Sequence, residues 1–367
     1  MGETAQAIVF TEPKRLESRT YPIPERLEAG ELLVETEAAT VCGSDVHTWE
    51  GRRPYPTPSI LGHEIVGTIV DRAPDVTTDT AGQPLSVGDR ITWTIMANCG
   101  TCYACRIQGL PQKCASLFKY GHARSDEPPH LTGGYAEQVH VQSGTCVFTV
   151  PEQLPAGSAA PLMCGAATVA GGLATVGVER GDTVVIQGAG YLGLFAIPVA
   201  RRHGASQVVV VDVDPDRCEL AAAFGADHVL DAGSMDEAAL VETVTDLTDG
   251  RGADLVVEVT GHPAVIPVGV EMLATGGRYL FHGTVMPDAE FTLDGYDVVT
   301  KHLTIQGVHN YDAPHLQTAI DTIAETWDRY PFDALTGPTF PLSVDGVTAA
   351  FEAQARREAI RPIVCPE

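Results

Sequence analysis

Basic residues are scarce in this chain. Lysine and arginine together number 23 against 48 aspartates and glutamates, which gives a formal net charge of −25. Proteins that bind nucleic acid or an anionic membrane surface present basic patches to it. We therefore predict that this protein binds neither nucleic acid nor membrane.

Long apolar runs are also missing. No stretch approaches the roughly 20 apolar residues of a membrane-spanning helix. The opening segment, MGETAQAIVF, lacks the basic start and long apolar run of a signal peptide. We expect a cytoplasmic protein, in which reducing conditions do not maintain disulfides. A chain of 367 residues with 44% hydrophobic content is long enough for two globular domains.

The pattern of hydrophobic residues changes near residue 160. After this point, runs such as TVVIQG and VVVVDVD alternate with alanine-rich helical stretches, which predicts a parallel sheet covered on both faces. Before it, short β-rich runs separated by Gly, Pro and Asp indicate an antiparallel or barrel-like domain. The strands predicted in this first part are 31–41, 65–70, 89–95, 135–141 and 146–150. Past residue 310, two helical patterns (315–327 and 347–356) precede a short strand (361–365) that we expect to return to the first domain.

A glycine-rich motif follows the first strand of the parallel sheet and opens a helix. In G-x-G-x-x-G motifs the first glycine permits a tight turn, the second lets the backbone approach a pyrophosphate, and the third lets helix and strand pack closely. The helix N-terminus supplies unpaired N–H donors for the phosphates. The candidate cofactor residues in this motif are Gly188, Gly190, Tyr191, Leu192 and Gly193.

An acidic residue completes the dinucleotide motif. Asp212 ends the next predicted strand, where a carboxylate binds the ribose hydroxyls of NAD and repels the 2′-phosphate of NADP. Arg217 lies nearby and keeps NADP open as an alternative. The motif therefore predicts a nucleotide site with NAD as the favoured cofactor. The alternative to a nucleotide site is a purely structural glycine turn in an α/β protein that binds no nucleotide.

Four cysteines lie close together in the first part of the chain. The spacing C-x2-C-x2-C-x8-C suits a tetrahedral structural zinc, which leaves no open position for substrate. An iron–sulfur cluster is the competing interpretation. The four candidate ligands are Cys99, Cys102, Cys105 and Cys114.

Three further residues are candidates for a second metal site, although they are far apart in the sequence. Cys42 begins CGSDVH, His63 lies in GHE, and Cys164 lies in MCG. Taken singly, a cysteine is more often a small buried hydrophobe, and a histidine is more often part of a structural hydrogen bond. Spacing alone does not join these three residues.

The motifs together resemble the zinc-dependent medium-chain alcohol dehydrogenases. CGSDVH, GHE, the four-cysteine lobe and GAGYLG followed by VVVVDVD occur in that family's order over nearly the whole chain. The resemblance implies an α/β protein with a GroES-like β-barrel catalytic domain (1–160 and 310–367) and a Rossmann NAD-binding domain (161–309). It also implies an active site between the domains and a homodimer or homotetramer.

The resemblance assigns roles to the dispersed residues. Cys42, His63 and Cys164 match the protein ligands of a catalytic zinc, and the four-cysteine lobe matches a structural zinc, so that each chain holds two zinc ions. A zinc with two cysteines and one histidine keeps a fourth position open for an alcohol or aldehyde, whose oxygen it polarises. Ser44 and His47 match a relay that carries the substrate proton towards solvent. We expect the two acidic neighbours of the ligands, Asp45 and Glu64, to orient a ligand or balance the metal charge.

The substrate is the least defined part of the prediction. Candidate pocket residues are Trp49, Ile95 and His309, each of which has the core as its alternative location. A narrower likeness, carried by GLPQKC, KYGH, LTGGYAE and GVHNY, is to a subgroup associated with phosphonate metabolism. Such a substrate needs cationic partners. The candidates for that role are Arg52, Arg53, Lys119, His122 and Arg124. The alternative substrate is a neutral primary or secondary alcohol or a polyol.

Other classes of protein compete with this interpretation. A zinc-free reductase of the same superfamily, using NADPH, is disfavoured because such proteins lack the cysteine lobe, the Cys/His ligands and the acid at Asp212. A sensor that binds NAD and zinc without catalysis would carry the same motifs. A dismutase of aldehydes that retains its NAD would share the site and would turn over without added cofactor.

Overall fold

The chain folds into two compact units. The computed structural model describes residues 2–283, 285 and 289–366. The first unit comprises Met1–Gly165, Asp312–Ile320 and Phe332–Glu367, and the second comprises Ala166–Tyr311 and Asp321–Pro331.

One segment lies in a different unit from the one that we expected. Residues 321–331 were assigned to the first domain from the sequence, whereas they pack with the second unit. Tyr330 stacks on Phe224 with 6.0 Å between ring centroids, and Glu325 pairs with Arg202. An aromatic stack and an ion pair to distant positions leave no sign in the local sequence.

The first unit is built mainly of antiparallel strands. Its strands before residue 165 are β1 Thr4–Glu12, β2 Arg15–Pro22, β3 Leu32–Thr40, β4 Ser59–Ile60, β5 Ile65–Arg72, β6 Arg90–Ala97, β7 Phe118–Lys119, β8 Gln138–Val141 and β9 Thr145–Thr149. Its helices there are α1 Gly43–Trp49, α2 Tyr103–Arg106 and α3 Ala156–Ala159, with short 3-10 turns at Pro111–Lys113 and Ala160–Met163.

The second unit alternates strands and helices. Its elements are α4 Gly165–Val176, β10 Thr183–Gln187, α5 Tyr191–His203, β11 Gln207–Asp212, α6 Pro215–Ala223, β12 His228–Asp231, α7 Glu237–Leu247, β13 Ala253–Glu258, α8 Val265–Glu271, β14 Leu273–Phe281, α9 Gly295–Thr300 and β15 Thr304–Gly307. Helix α10 Ala313–Thr326 has residues in both units. The elements after it belong to the first unit: a 3-10 turn at Phe332–Leu335, β16 Thr339–Pro341, α11 Val344–Ala355 and β17 Ile363–Cys365.

The strands of the first unit form two sheets. The larger sheet has the order β16-β17-β3-β5-β6-β7, with β8 also paired to β3 and β9 to β6, and the smaller has the order β2-β1-β4. The C-terminal strand β17 pairs antiparallel with β3, so that Ile363 faces Thr40. The last strand of the chain therefore lies beside the segment that leads into Cys42.

The second unit contains a six-stranded parallel sheet with the order β12-β11-β10-β13-β14-β15. Every residue of its central strand β10 is buried, as expected for a strand with helices on both faces. Helix α5 begins within the glycine motif, with Gly190 as its N-cap, and ends at Gly204, whose φ of 107° is the left-handed conformation of a common helix stop. The carboxyl ends of the strands therefore meet at one edge of the sheet, next to the glycine motif.

In the described part of the chain, no single helix has both the length and the apolar character needed to cross a membrane. One bent helix pair, Ala156–Met163 with Gly165–Val176, passes on length and composition alone.

Candidate active site

Three separate segments of the first unit contain Cys42, His63 and Cys164. Cys42 lies between the end of β3 and the start of α1, where the N–H of Val41 donates to the carbonyl oxygen of Pro362 at 3.0 Å. His63 lies between β4 and β5, directly after Gly62, whose φ is 85°. Cys164 ends the 3-10 turn after α3. Strand pairing thus brings together residues that are about 20 and 100 positions apart in the sequence.

The geometry of this trio fits one metal ion. The ligand atoms of the two cysteines and of the histidine all lie within 4.8 Å of one another. Two sulfurs and one imidazole nitrogen form a donor set that zinc accepts, with a fourth tetrahedral position left for another ligand. His63 is only 1% exposed, so its ring is held rigidly in the site.

The residues on the first turn of α1 hold the histidine. Nδ1 of His63 donates to Oδ1 of Asp45 at 3.0 Å, which leaves Nε2 as the nitrogen that faces the metal position. The second oxygen of Asp45 accepts the N–H of Cys42 at 3.0 Å. Ser44 Oγ lies 3.2 Å from Nε2 of His63. One carboxylate therefore fixes two candidate ligands, and the serine hydroxyl lies beside Nε2 of His63, the nitrogen that faces the metal position.

A buried arginine, which the sequence reasoning did not identify as a site residue, completes the surroundings of Cys42. Arg361 pairs with Glu64 at 2.9 Å, and its Nη2 lies 3.8 Å from the sulfur of Cys42. Thr40 donates its hydroxyl to Glu64 at 2.7 Å. The signal in the sequence was a single arginine in the apolar run AIRPIVC, because an isolated cation in an apolar segment needs a partner.

The site stabilises positive charge at the histidine and negative charge at a sulfur. Burial lowers the pKa of His63, but the Asp45 carboxylate outweighs it and raises that pKa to about 10. A hydrogen bond from Cys164 and the positive charge of Arg361 lower the pKa of the Cys42 thiol. A metal ion at this position must displace the proton from Nε2, so that metal binding and proton release are linked.

The four-cysteine lobe is compact enough for one metal ion and too open for disulfides. The sulfurs of Cys99 and Cys114 are 3.4 Å apart, those of Cys102 and Cys105 are 3.5 Å apart, and Cys102 lies 3.9 Å from Cys114. A tetrahedral zinc with Zn–S bonds of 2.3 Å places its sulfurs about 3.8 Å apart, whereas a disulfide needs about 2.05 Å. An iron–sulfur cluster would divide the four thiolates between two or four irons and hence place some of them further apart.

Backbone amides also favour thiolates in this lobe. The N–H groups of Cys99 and Ser116 donate to the sulfur of Cys114 at 3.3 and 3.4 Å. Hydrogen bonds from Thr101 lower the pKa of Cys99 to about 6. The lowered pKa of Cys99 favours the thiolate form, which is the form that binds a metal ion.

The glycine motif lies at the carboxyl end of β10 in the second unit. Gly188 has a φ of 108°, and a Cβ on Gly193 would lie 1.8 Å from the carbonyl oxygen of Gly188. A Cβ on Gly190 would meet no atom within 4 Å, so the space above it is open. Tyr191 is buried and stacks on Phe195, while Leu192 is half-buried in the first turn of α5.

Asp212 lies at the end of β11, next to this loop. Its carboxylate accepts the N–H of Ala189 at 2.5 Å and that of Asp214 at 3.0 Å. Arg217 lies in the first turn of α6, which Asp214 caps. Asp212 therefore joins the glycine motif to the next strand at the position predicted for a ribose.

The structure distributes the three predicted pocket residues differently. Trp49 is 4% exposed and stacks on Phe351 at 5.4 Å, within the hydrophobic core of the first unit. Ile95 is buried in β6. His309 is exposed and follows β15 in the second unit. The first two therefore occupy the core, which was the alternative that the sequence left open.

The five candidate cations fall into two groups. Arg52 pairs with Glu50, and Arg124 pairs with Asp126, so that both charges are neutralised at the surface. The other three lie near the His63 end of the first unit, where they form a group that we call the polar wall: Arg53, Lys119 and His122.

The polar wall contacts a candidate metal ligand. The guanidinium of Arg53 lies over the ring of Tyr55 at 5.0 Å. His122 packs against Tyr55 at 4.3 Å and against His63 at 5.1 Å between ring centroids. Burial lowers the pKa of Lys119. A cation and an imidazole therefore lie within electrostatic reach of the metal position.

These units and sites define a class of protein, namely a two-domain oxidoreductase that uses zinc and a dinucleotide. Two family models match the chain: the alcohol dehydrogenase GroES-like domain over residues 28–152 and the zinc-binding dehydrogenase over residues 192–325. The chain belongs to the zinc-dependent medium-chain alcohol dehydrogenase family. The predicted fold class, a GroES-like domain with a parallel-sheet Rossmann domain, is confirmed, as are zinc and a nicotinamide dinucleotide as its cofactors.

Individual relatives cover the whole chain. It is 32% identical to 5-exo-hydroxycamphor dehydrogenase from Pseudomonas putida, over 98% of both proteins. It is 30% identical to erythritol/L-threitol dehydrogenase from Mycolicibacterium smegmatis, over 93% of this chain and 92% of that protein. The crystal structure of an alcohol dehydrogenase from Thermotoga maritima superposes with a TM-score of 0.93 at 33% identity, covering all of both chains. The likeness to a phosphonate-associated subgroup stays a prediction.

Proposed function

We propose that the protein transfers hydride between an alcohol and NAD at the site formed by Cys42, His63 and Cys164. The main support is that the ligand atoms of these three side chains lie within 4.8 Å of one another. In addition, the Ser44 hydroxyl lies 3.2 Å from Nε2 of His63. A bound zinc supplies a positive charge that lowers the pKa of the substrate hydroxyl. The residues of the chain hold the ligands, orient the substrate and move its proton.

Ser44 and His47 are suited to moving the proton. They lie three residues apart on α1 and therefore on one face of the helix. Burial, followed by the charge of Arg52, lowers the pKa of His47, so that its imidazole is neutral at neutral pH. Within the described part of the chain, Nδ1 of His47 is buried without a hydrogen-bond partner. We propose that Ser44 Oγ receives the substrate proton and His47 passes it on.

Asp45, Glu64 and Arg361 act as positioning residues in this proposal. Asp45 holds the His63 ring and the Cys42 backbone, while Arg361 links Glu64 to the sulfur of Cys42. Partners of this kind fix the orientation and basicity of metal ligands.

We also propose NAD rather than NADP as the cofactor. Asp212 lies beside the glycine motif, with its carboxylate within 2.5 Å of the Ala189 nitrogen. A negative charge at this position repels a 2′-phosphate. Parallel titrations with NADH and NADPH test the choice, and tighter binding of NADPH would contradict it.

For the substrate, we propose a neutral alcohol that carries a second hydroxyl group, as in a polyol. Nδ1 of His122 donates to the carbonyl oxygen of Tyr120 at 2.7 Å, so that Nε2 carries a lone pair and accepts hydrogen bonds. The ring of His122 lies 5.1 Å from that of His63 between centroids, which supports a role for His122 in binding the substrate. The erythritol/L-threitol dehydrogenase that resembles this chain is named for polyols.

A second candidate is an anionic alcohol such as a hydroxyalkylphosphonate. Lys119 and Arg53 favour it, because no described carboxylate lies within ion-pair distance of either cation. The two candidates differ in which residue matters: His122 for a hydroxyl donor and Lys119 for an anion.

One panel separates these candidates. Simple alcohols, vicinal diols and hydroxyalkylphosphonates of equal carbon number are compared by kcat/KM from NADH absorbance. We expect the diols to be preferred, and His122→Phe to remove that preference while Lys119→Met leaves it unchanged. A preference for phosphonates that Lys119→Met abolishes would establish the second candidate, and Arg124→Met serves as the matched surface control.

The catalytic assignment itself is tested by metal content and turnover. We expect two zinc ions per chain, with Cys164→Ser losing one zinc and all turnover and Cys114→Ser losing the other. Two zinc ions without turnover on any alcohol or aldehyde would contradict the proposal and favour a sensor. Turnover without added cofactor would show that NAD is retained, as in a dismutase.

We further propose that the protein works in the cytoplasm as a homodimer or homotetramer. Within the described part of the chain, strand β15 is the outer strand of its sheet, and Ile305 on it is exposed. Tyr296 and Val299 on α9 are 72% and 76% exposed. Because an unpaired strand edge with apolar neighbours is prone to pair with another chain, a second copy is the occupant that we propose. Light scattering tests this, with Val299→Glu expected to yield monomers and a monomeric wild-type protein contradicting it.

A further inference from the structure

A buried glutamate lies at the carboxyl edge of the parallel sheet, outside the sequence motifs discussed above. Glu258 is the last residue of β13 and is 0% exposed. In the sheet it is paired with Gln187, the last residue of β10, and with Phe281, the last residue of β14. Its carboxylate is therefore placed where three strands end together.

This carboxylate ties two loops to each other. Oε1 accepts the hydroxyl of Thr260 at 2.8 Å and the N–H of Gly261 at 2.6 Å, both in the loop after β13. Oε2 accepts the N–H of Gly283 at 3.2 Å, in the loop after β14. The carbonyl oxygen of Glu258 also accepts the N–H groups of His282 and Gly283 at 3.0 and 3.1 Å. Both loops thus depend on one residue for their position.

At Gly261 and Gly283 the two loops approach each other too closely for a side chain on either residue. A Cβ on Gly283 would lie 2.3 Å from the nitrogen of Gly261, and a Cβ on Gly261 would lie 2.7 Å from the carbonyl oxygen of Gly283. A Cβ on Gly188, in the glycine motif, would lie 2.9 Å from Cγ2 of Thr260. The glycine motif and the loops after β13 and β14 therefore form one close-packed junction, in which a small shift of one loop displaces the others.

The position of the junction in the sheet indicates which half of the cofactor it serves. In a doubly wound fold the dinucleotide crosses the carboxyl ends of the strands, with one nucleotide on each half of the sheet. The glycine motif and Asp212 belong to the half formed by β10, β11 and β12, which takes the adenosine part. The loops held by Glu258 belong to the half formed by β13, β14 and β15, which takes the nicotinamide part.

We infer that Glu258 is a positioning residue for the nicotinamide half of the cofactor, an inference that rests on the proposed NAD-linked function. An ionised carboxylate accepts N–H and O–H donors from both loops at once, which no neutral side chain of this size does. In Glu258→Gln, the amide NH2 would face either the Gly261 or the Gly283 N–H, so that two donors meet. The affected loop must then move, and the nicotinamide surface moves with it.

The test compares two ligands that share the adenosine part. NADH carries the nicotinamide ring, whereas ADP-ribose lacks that ring and keeps the rest of the cofactor. Dissociation constants for both are measured on wild-type and variant protein that is loaded with zinc and free of dinucleotide. NADH binding is followed by its fluorescence and ADP-ribose binding by calorimetry. For Glu258→Gln we expect the Kd of NADH to rise about 10-fold, the equivalent of losing a charged hydrogen bond, and the Kd of ADP-ribose to stay within about 2-fold of wild type.

Two further variants make the comparison specific. Asp212→Asn lies in the adenosine half and should weaken both ligands by the same factor. Thr260→Val removes one donor to Glu258 and the acceptor of the His262 N–H but keeps the methyl group beside Gly188. It should weaken NADH to a lesser degree and leave ADP-ribose unaffected. This milder variant keeps the inference testable where Glu258→Gln does not fold.

Each result has a defined meaning. Unchanged NADH affinity in both Glu258→Gln and Thr260→Val would overturn the inference while leaving the proposed function intact. Equal weakening of NADH and ADP-ribose would overturn it as well, because general loosening of the sheet does not distinguish the two halves. Failure of the wild-type protein to bind either ligand would instead refute the proposed NAD-linked function, and the inference with it.

Discussion

Replacing Asp45 by asparagine should weaken metal binding at the catalytic site and spare the cysteine lobe. One oxygen of Asp45 holds Nδ1 of His63 and the other holds the N–H of Cys42, each at 3.0 Å. Asparagine has one oxygen and one NH2 group, so either orientation places the NH2 against a donor. The variant therefore loses one of two hydrogen bonds and the negative charge that supports the histidine.

The expected size of the effect follows from these contacts. A hydrogen bond to a charged group contributes about 1.5–3 kcal/mol, which corresponds to roughly a 10- to 100-fold change in an equilibrium constant. Removal of a carboxylate behind a ligating histidine weakens metal affinity by a similar 10- to 100-fold. We therefore expect Asp45→Asn to lose zinc from this site at a chelator concentration about 10 to 100 times lower than wild type does.

The assay is competition with a chromophoric chelator, followed by counting the zinc retained per chain. Asp79→Asn is the matched control, because Asp79 is also buried and accepts from Gln83 and Thr149 with no described contact to either metal site. Equal chelator resistance of Asp45→Asn and wild type would refute the reasoning. Loss of zinc from the cysteine lobe at the same chelator concentration would show that the effect is general instability.

Further predictions concern the relay, the glycine motif and a buried histidine. Ser44→Ala should lower kcat by at least about 100-fold at unchanged zinc content while Ser44→Thr keeps much of the activity; equal rates for all three proteins would exclude the relay. Gly193→Ala should lower Tm and abolish NADH binding, because its Cβ would lie 1.8 Å from the Gly188 oxygen, whereas Gly190→Ala, with open space at its Cβ, should keep Tm and only weaken NADH. Burial lowers the pKa of His282 from 6.5 to about 4, so the unfolded chain takes up the proton first as the pH falls below about 6.5, and the folded state loses stability. Between pH 7.5 and 5.5 this lowers the free energy of unfolding by about 1.4 kcal/mol. In urea unfolding, the free energy of unfolding of His282→Leu should fall by that much less than wild type over the same pH range. Equal falls for variant and wild type would contradict the assignment.

Local motifs predicted those parts of the site whose chemistry lies in consecutive residues. The glycine motif is a strand, a turn and a helix within about 20 residues, and backbone conformation alone decides its shape. The cysteine lobe likewise closes within sixteen positions, from Cys99 to Cys114, so that spacing was sufficient to suggest one metal. Both lie in the structure where short-range reasoning placed them.

The catalytic trio could not be assembled in this way. Cys42, His63 and Cys164 meet only because β3, β5 and the segment after α3 pack together, and those contacts are set by the whole core of the first unit. Family resemblance supplied the grouping. Strand β12, His228–Asp231, leaves little trace in the sequence, because it is short and half-buried at the edge of the sheet, where the apolar signal is weak.

The balance of charge explains why the last strand of the chain belongs to the site. Cys42, Cys164, Asp45 and Glu64 place four acidic groups in a small buried volume, and Arg361 on the C-terminal segment contributes one fixed positive charge against them. Buried charges are stable only when they are compensated. Without metal the remaining balance comes from protons, as the raised pKa of His63 and the opposite pKa shifts of the two thiols indicate. A divalent cation replaces those protons. The pairing of β17 with β3 therefore supplies a charge that makes the site suited to a metal ion, and this could be recognised only once the fold had brought residues 361 and 42 together.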